Sequence, residues 1–271
     1  MAADSSAHDV WAVGAGYEGY MGRWSRLVAR EFVQVLGVSR QGRWLDVGCG
    51  AGALVQAIVE HADPGLVVGL DSSRALIQYA RTGRVGFGAV FSAGDARSLP
   101  FAAASFDAIV SGLVLNFVQG PAEMVADMVR AGRIGSTIAV YVWDYAGGME
   151  IVRHFWRAAV ALDPSAAELD EGVRFPICAP DRLQMLFEGA GLSEARTWPI
   201  DVQARFSGFD DYWSPFLGGQ GPAPGYAMSL PLDRRFVLRE RIRRALPLAP
   251  DGSISLTARA WAVCGTKRAG R

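Results

Sequence analysis

Two kinds of apolar pattern take turns along the chain. Between residues 43 and 143, short runs are apolar at nearly every position: RWLDVG, GLVVGLDSS, AVFSAGDA, FDAIVSG and STIAVYVWD. Between them lie stretches with apolar positions at helical spacing: ALVQAIVEH, residues 73–82 and PAEMVADMVRA. A strand apolar on both faces is covered on both faces, and strands that alternate with helices are joined by crossovers. The pattern predicts an α/β fold, a doubly wound, Rossmann-like parallel sheet. Ahead of it, Trp24, Leu27, Val28, Phe32 and Val35 predict a helix over 17–37 that ends at Gly37.

After residue 145 the pattern loosens. Residues 149–162, 180–191 and 232–245 have helical spacing, and residues 195–206 and the tail SISLTARAWAVCGTK look like strands. Residues 163–180 carry Asp163-Pro164, Phe175-Pro176 and Ala179-Pro180 and are expected to be loop-rich. Residues 209–228 combine aromatics with GGQGPAPG. That stretch is expected to be either a mobile flap or a surface connection packed by its own aromatics.

Charge narrows the partners. The chain has 27 basic and 27 acidic residues, so its total offers no footprint for nucleic acid or an anionic membrane. Arg239, Arg241, Arg243 and Arg244 cluster on one predicted helix and read as a solvated face. No apolar run approaches the roughly 18 residues that span a bilayer. The opening MAADSSAHDV has neither the basic head nor the apolar centre of a secretory signal. Cys49, Cys178 and Cys264 are scattered, and His8, His61 and His154 have no ligand spacing. The expectation is a reducing, cytoplasmic compartment and no metal.

The chemistry starts at Gly48-Cys49-Gly50-Ala51-Gly52-Ala53, which follows the first strand. It satisfies both the dinucleotide fingerprint G-x-G-x-x-A and the pattern G-x-G-x-G. Both need glycine for a tight turn and a close approach of backbone to ligand. Asp46 stands two positions before Gly48. A pyrophosphate is repelled by a carboxylate there, whereas the sulfonium and amino group of S-adenosylmethionine are attracted. Asp71 ends the second strand, where a carboxylate accepts hydrogen bonds from ribose hydroxyls in either class of nucleotide.

The blocks WLDVGCGAGAL, GLDSS, GDARSLPFAAASFDAIVSGLVLNFV and AVYVWD follow one another as in class I S-adenosylmethionine-dependent methyltransferases. The chain resembles that family closely over about residues 15–145 and loosely beyond. The L-P-F between Asp95 and the fourth strand is similar to the small-molecule, methyltransferase-11-like branch. The resemblance implies a seven-stranded sheet with an antiparallel last strand, placed at residues 256–265, and C-terminal helical and loop insertions that form a lid. It implies one domain over 1–271. Residues 1–37 would be an N-terminal lid segment, 38–145 the cofactor-binding core and 146–271 the substrate side. It also implies roles. Gly48 and Gly50 approach the methionine part, Asp71 and Ser72 the ribose, and Asp95 and Ala96 the adenine. Ser111 lines the methionine side, Arg23 pairs with the cofactor carboxylate, and Tyr20 closes over the cofactor.

Methyl transfer from a sulfonium is an in-line displacement, so a protein mainly aligns and desolvates the acceptor. Asn116 stands where related proteins often carry histidine. It orients a carbonyl or hydroxyl, or caps a turn, but it is no base. Asp144 ends the fifth strand and either orients or deprotonates an acceptor or caps the next helix. His154 is a candidate base or a core residue. The function expected is methyl transfer to a small organic acceptor at O, N or C. The alternatives are a cofactor-binding protein or non-methylating cyclase, and an NAD-linked oxidoreductase. The oligomeric state, monomer or homodimer, stays open.

Overall fold

The computed structural model describes residues 21–82, 89–219 and 221–269. Seven strands form one sheet: β1 (Arg43–Val47), β2 (Leu66–Asp71), β3 (Val90–Ala93), β4 (Phe106–Gly112), β5 (Gly132–Trp143), β6 (Ser193–Phe206) and β7 (Ile254–Thr266). Their order is β3-β2-β1-β4-β5-β7-β6. β1 to β5 are parallel to one another. β7 lies antiparallel to β5: the Gly135 N–H donates to the Lys267 carbonyl and the Lys267 N–H to that of Ser136. The order reverses between β1 and β4, and the crevice at that reversal is where open α/β sheets take their ligands.

The chain divides into two compact units. One comprises residues 25–142, 177–200 and 260–271. Its strands β1 and β4 are buried nearly throughout, as their unbroken apolar runs require. The helices α1 (Arg23–Leu36), α2 (Ala53–His61), α3 (Arg74–Thr82), α4 (Pro121–Ala131) and the later helix Pro180–Gly189 supply its cover. Pro121 starts α4 where its missing N–H costs nothing. From residue 25 on, α1 packs into this unit. Val28, Ala29 and Phe32 are fully buried, and Phe32 contacts Tyr141 and Trp198.

The other unit comprises residues 1–24, 143–176 and 201–259, of which those from 21 are described here. It is built around α5 (Glu150–Leu162). Phe155 stacks on Phe216 and meets Trp156 and Tyr226 edge-on. The Tyr212 hydroxyl donates to the Ile151 carbonyl at 2.7 Å. Two expectations are corrected in this unit. Residues 164–174 are helical turns: Asp163 caps Pro164–Leu169, and Asp170 caps the short helix α6 (Glu171–Arg174). Each aspartate accepts a backbone N–H at a helix start, and Pro164 sits at a first-turn position, so the pair that read as loop punctuation starts a helix. The GGQGPAPG stretch, expected to belong to either a mobile flap or a packed surface connection, instead runs into a helix, Pro222–Ser229, with Pro222, Ala223, Pro224, Tyr226 and Ala227 buried. With the helix Pro180–Gly189 taken as α7 and Phe209–Trp213 as α8, this is α9, and Leu232–Ala245 is α10.

Candidate functional site

The carboxyl ends of β1, β2, β3 and β4 border a cleft of about 710 Å3 in the first unit. Its lining includes Gly48, Asp71, Ser72, Asp95, Ala96 and Val114. The size suits a nucleoside-sized ligand. Five of the residues named from sequence meet here although they come from three different turns.

The turn after β1 is built by backbone and by one acid. Gly48, Gly50 and Gly52 all have positive φ, at 79°, 51° and 91°. The Gly48 and Cys49 N–H groups donate to the Leu70 carbonyl. The Gly50 N–H donates to Asp71 Oδ2 at 2.9 Å, and the Ser73 N–H to Asp71 Oδ1 at 2.8 Å. Asp71 thereby joins the end of β2 to the glycine turn, and each oxygen, with one backbone N–H accepted, has capacity for a further hydrogen bond. A β-carbon on Gly48 would lie 2.6 Å from Val114 Cγ2, and one on Gly50 would meet nothing within 4 Å. The first glycine serves packing, and the second leaves space.

Asp46 is 1% exposed, and neither of its carboxylate oxygens has a hydrogen-bond partner among the described residues. Burial, and next the charge of Asp71, push its carboxyl well above the usual carboxylate range. An unpaired buried acid is costly, and a cation relieves it. The Asn116 Nδ2, in the helical turn Leu115–Phe117 after β4, is also buried and has no hydrogen-bond partner among the described residues. Neither Asp46 nor Asn116 is among the residues that line the cleft, but each lies within two residues of one that does, Asp46 of Gly48 and Asn116 of Phe117.

Asp95 is exposed, and Arg97 holds it through its backbone N–H and its guanidinium at 2.8–3.1 Å. The Arg97 hydrogen bonds lower its carboxyl to about 2. The L-P-F segment is clamped from α4. Asp127 accepts the Leu99 N–H, and Arg130 donates to the Leu99 and Phe101 carbonyls. Arg74, Arg97, Val114, Phe117 and Gln119 also line the cleft and were not expected from sequence. Their signal was position, since each lies a few residues past a strand's carboxyl end.

Other expected site residues are placed differently. The Ser111 hydroxyl donates to the Val47 carbonyl at 2.6 Å and is 1% exposed, so it ties β4 to β1 and does not line the cleft. The Arg23 guanidinium stacks over Trp24 and Phe206 and pairs with Asp211 at 3.3 Å, which gives it a carboxylate from the protein itself. Asp144 accepts the Gly147 and Gly148 N–H groups at 3.1 and 2.7 Å, so it shapes the turn before α5 and is not poised as a base. His154 is half-buried on α5, and burial chiefly lowers its pKa. Tyr20 lies outside the described residues.

Residues 45–140 match the methyltransferase domain family. The chain is 32% identical, over 56% of its own length and 68% of the relative's, to a demethylmenaquinone methyltransferase of Roseiflexus castenholzii. It is 34% identical, over 36% of its length and 28% of the relative's, to a chloroplastic 2-methyl-6-phytyl-1,4-hydroquinone methyltransferase of Oryza sativa. A solved methyltransferase structure from Bacillus halodurans superposes with a TM-score of 0.59 at 15% identity, over 89% of this chain and 99% of that one. The chain belongs to the class I S-adenosylmethionine-dependent methyltransferases. It is an enzyme that uses S-adenosylmethionine to methylate a small molecule. The site agrees with that cofactor. The family match sets the oxidoreductase reading aside.

Proposed function

We propose that the acceptor is a ring hydroxyl compound of the quinol class and that Asn116 orients its oxygen. Bound here, S-adenosylmethionine would supply a methyl group from a positively charged sulfur, and that sulfur would keep the carbon–sulfur bonding pair. Asp46 would offset the cofactor's positive charge, Gly48 and Gly50 would let it approach, Asp71 and Ser72 would hold the ribose, and Asp95 and Ala96 would read the adenine. Five of these line one cleft, which supports the assignment.

The observation that carries the acceptor reading is the buried, unpartnered Asn116 amide. Its N–H groups suit an oxygen that carries negative charge as the ring reacts, and such donors are worth most in a dry site. Asp144 is occupied by backbone, so an acceptor that ionises readily fits this chain better than one needing a strong base. The names of the two relatives point to the same acceptor class. The enzyme works in a reducing compartment, the cytoplasm, a reading supported by the thiols of Cys49, Cys178 and Cys264, which are buried and form no disulfide among the described residues.

The test is transfer of labelled methyl to short-chain demethylquinols, catechols and amines. We expect transfer to a ring hydroxyl compound, and a kcat reduced about 100-fold in Asn116→Ala with cofactor binding unchanged. Transfer to amines alone, or full activity in the variant, overturns the reading.

A further inference from the structure

Among the described residues, five that are not glycine have a positive φ: Gln41, Asp63, Ala104, Leu113 and Glu194. Four of them are exposed. Leu113 is the exception, a half-buried, branched apolar residue at a φ of 63°. The left-handed region brings Cβ against the following carbonyl oxygen, and a bulky side chain there is a backbone outlier. Such strain persists only where the surroundings impose it, and it gathers at functional sites. Leu113 stands at such a place. It directly follows β4, which pairs with β1 where the strand order reverses. Its N–H donates to the Tyr141 carbonyl of β5 at 2.8 Å, so the ladder holds the chain up to the residue where it turns. At Val114 the backbone is already in the helical region, with φ −118° and ψ −39°, and the turn Leu115–Phe117 follows. The Phe117 N–H closes that turn on the Val114 carbonyl at 2.8 Å. Leu115 is buried, and Val114 and Phe117 line the cofactor cleft.

We propose that Leu113 is a positioning residue for cofactor binding. Its left-handed backbone, and not its side chain, sets the corner that carries Val114 and Phe117 into the cleft. An extended residue at 113 would carry β4 onward beside β5 and take Val114 away from the glycine turn. The fit leaves little room for that. Val114 Cγ2 lies 2.6 Å from the place a β-carbon on Gly48 would occupy, so a rotation at 113 drives Val114 into the turn or out of the cleft. Glycine or asparagine adopts the left-handed region at less cost than leucine. The surroundings hold leucine in it all the same, through the Tyr141 hydrogen bond and the buried Leu115. The inference rests on the cleft and on the cofactor, and not on the acceptor or on Asn116.

Four variants of the full chain test it: L113N, L113I, L113G and L113A. A backbone role and a side-chain role predict opposite orders. Isoleucine keeps the size of leucine but is β-branched and resists the left-handed region. Asparagine gives up the apolar side chain but enters that region readily. Each variant is shown to be folded by circular dichroism and titrated calorimetrically with S-adenosylhomocysteine. We expect L113N to bind within about twofold of wild type and L113I about tenfold more weakly. A merely structural role would lower stability and leave the affinity of the folded protein unchanged. In denaturant unfolding, L113G should have a folding equilibrium about fivefold more favourable than L113A, because only glycine relieves the strain. Wild-type affinity in folded L113I, or a tenfold loss in L113N, overturns the proposal. So does an L113A protein as stable as L113G, which would show an unstrained corner. Where L113I does not fold, the L113N titration decides alone, since it removes the side chain and keeps the conformation.

Discussion

The Asp71 carboxylate accepts the Gly50 N–H at 2.9 Å, so the acid at the end of β2 also builds the turn after β1. The structure of the turn and its recognition chemistry share one side chain. Asp71→Ala leaves two backbone N–H groups, those of Gly50 and Ser73, without their acceptor. We expect it to lower stability by about 1–3 kcal/mol and to abolish binding of S-adenosylhomocysteine. Asp71→Asn retains one acceptor oxygen and should lose less stability while still binding weakly. Thermal unfolding and calorimetric titration separate the two effects. A variant alanine protein with wild-type stability would mean that the turn holds without the acid.

Gly48 is the second place where one residue serves both turn and cleft. Its φ of 79° is strained for any other residue, and a β-carbon would meet Val114 at 2.6 Å. Gly48→Ala should therefore destabilise the protein and prevent cofactor binding. The double variant G48A/V114A removes the collision but leaves the backbone strain, worth about 1–2 kcal/mol. It should recover part of the stability. A double-mutant cycle showing no coupling between the two positions would sink this account.

Much of the first unit was legible because its information is local. Unbroken apolar strands, helical spacing between them and glycines at a strand end each act over a few residues. Of the cleft positions, Gly48 and Asp71 followed from the strand ends and the glycine turn, while Ser72, Asp95 and Ala96 came from the family resemblance. What was illegible depends on distant partners. Arg23 finds Asp211, which lies 188 residues away in sequence. The Ser111 hydroxyl is spent on Val47 only because β4 pairs with β1. Pro222-Ala-Pro224-Gly225 becomes a helix because proline suits a first turn and because the segment is buried, and burial is not written in its composition.

Glu171 gives the second unit a pH dependence. It is buried and accepts the Trp156 Nε1–H. Burial above all, with some help from Asp170, raises its carboxyl to about 7, against lowering by Arg174 and by hydrogen bonds. Its folded pKa is above its unfolded one, so stability is greatest below the unfolded value of 4.5 and is lost as pH rises toward 7. The loss across that window is roughly 3 kcal/mol. Glu171→Gln keeps an acceptor for Trp156 and removes the charge. Denaturant unfolding at several pH values should show a flatter profile in the variant and higher stability above pH 7. Parallel profiles would show that Glu171 ionises as freely as in water.

Asp46 sets stability against binding. In the unliganded protein its buried carboxyl has no hydrogen-bond partner and is pushed upward by burial and by Asp71. Its ionisation costs stability as pH rises above the unfolded value of 3.8. Asp46→Asn removes that cost and should raise the melting temperature of the unliganded protein at neutral pH. The same change removes the charge proposed to offset the cofactor's positive charge, so affinity for S-adenosylmethionine should fall by tenfold or more, about 1.4 kcal/mol. In the wild type, a cation arriving beside a partly protonated Asp46 drives off its proton. Calorimetric titration in buffers of different ionisation enthalpy should therefore show proton release on binding, diminishing as pH rises. The variant should show none from this group. Equal proton release in wild type and variant would place the titrating group elsewhere, and unchanged affinity would remove Asp46 from the cofactor's surroundings.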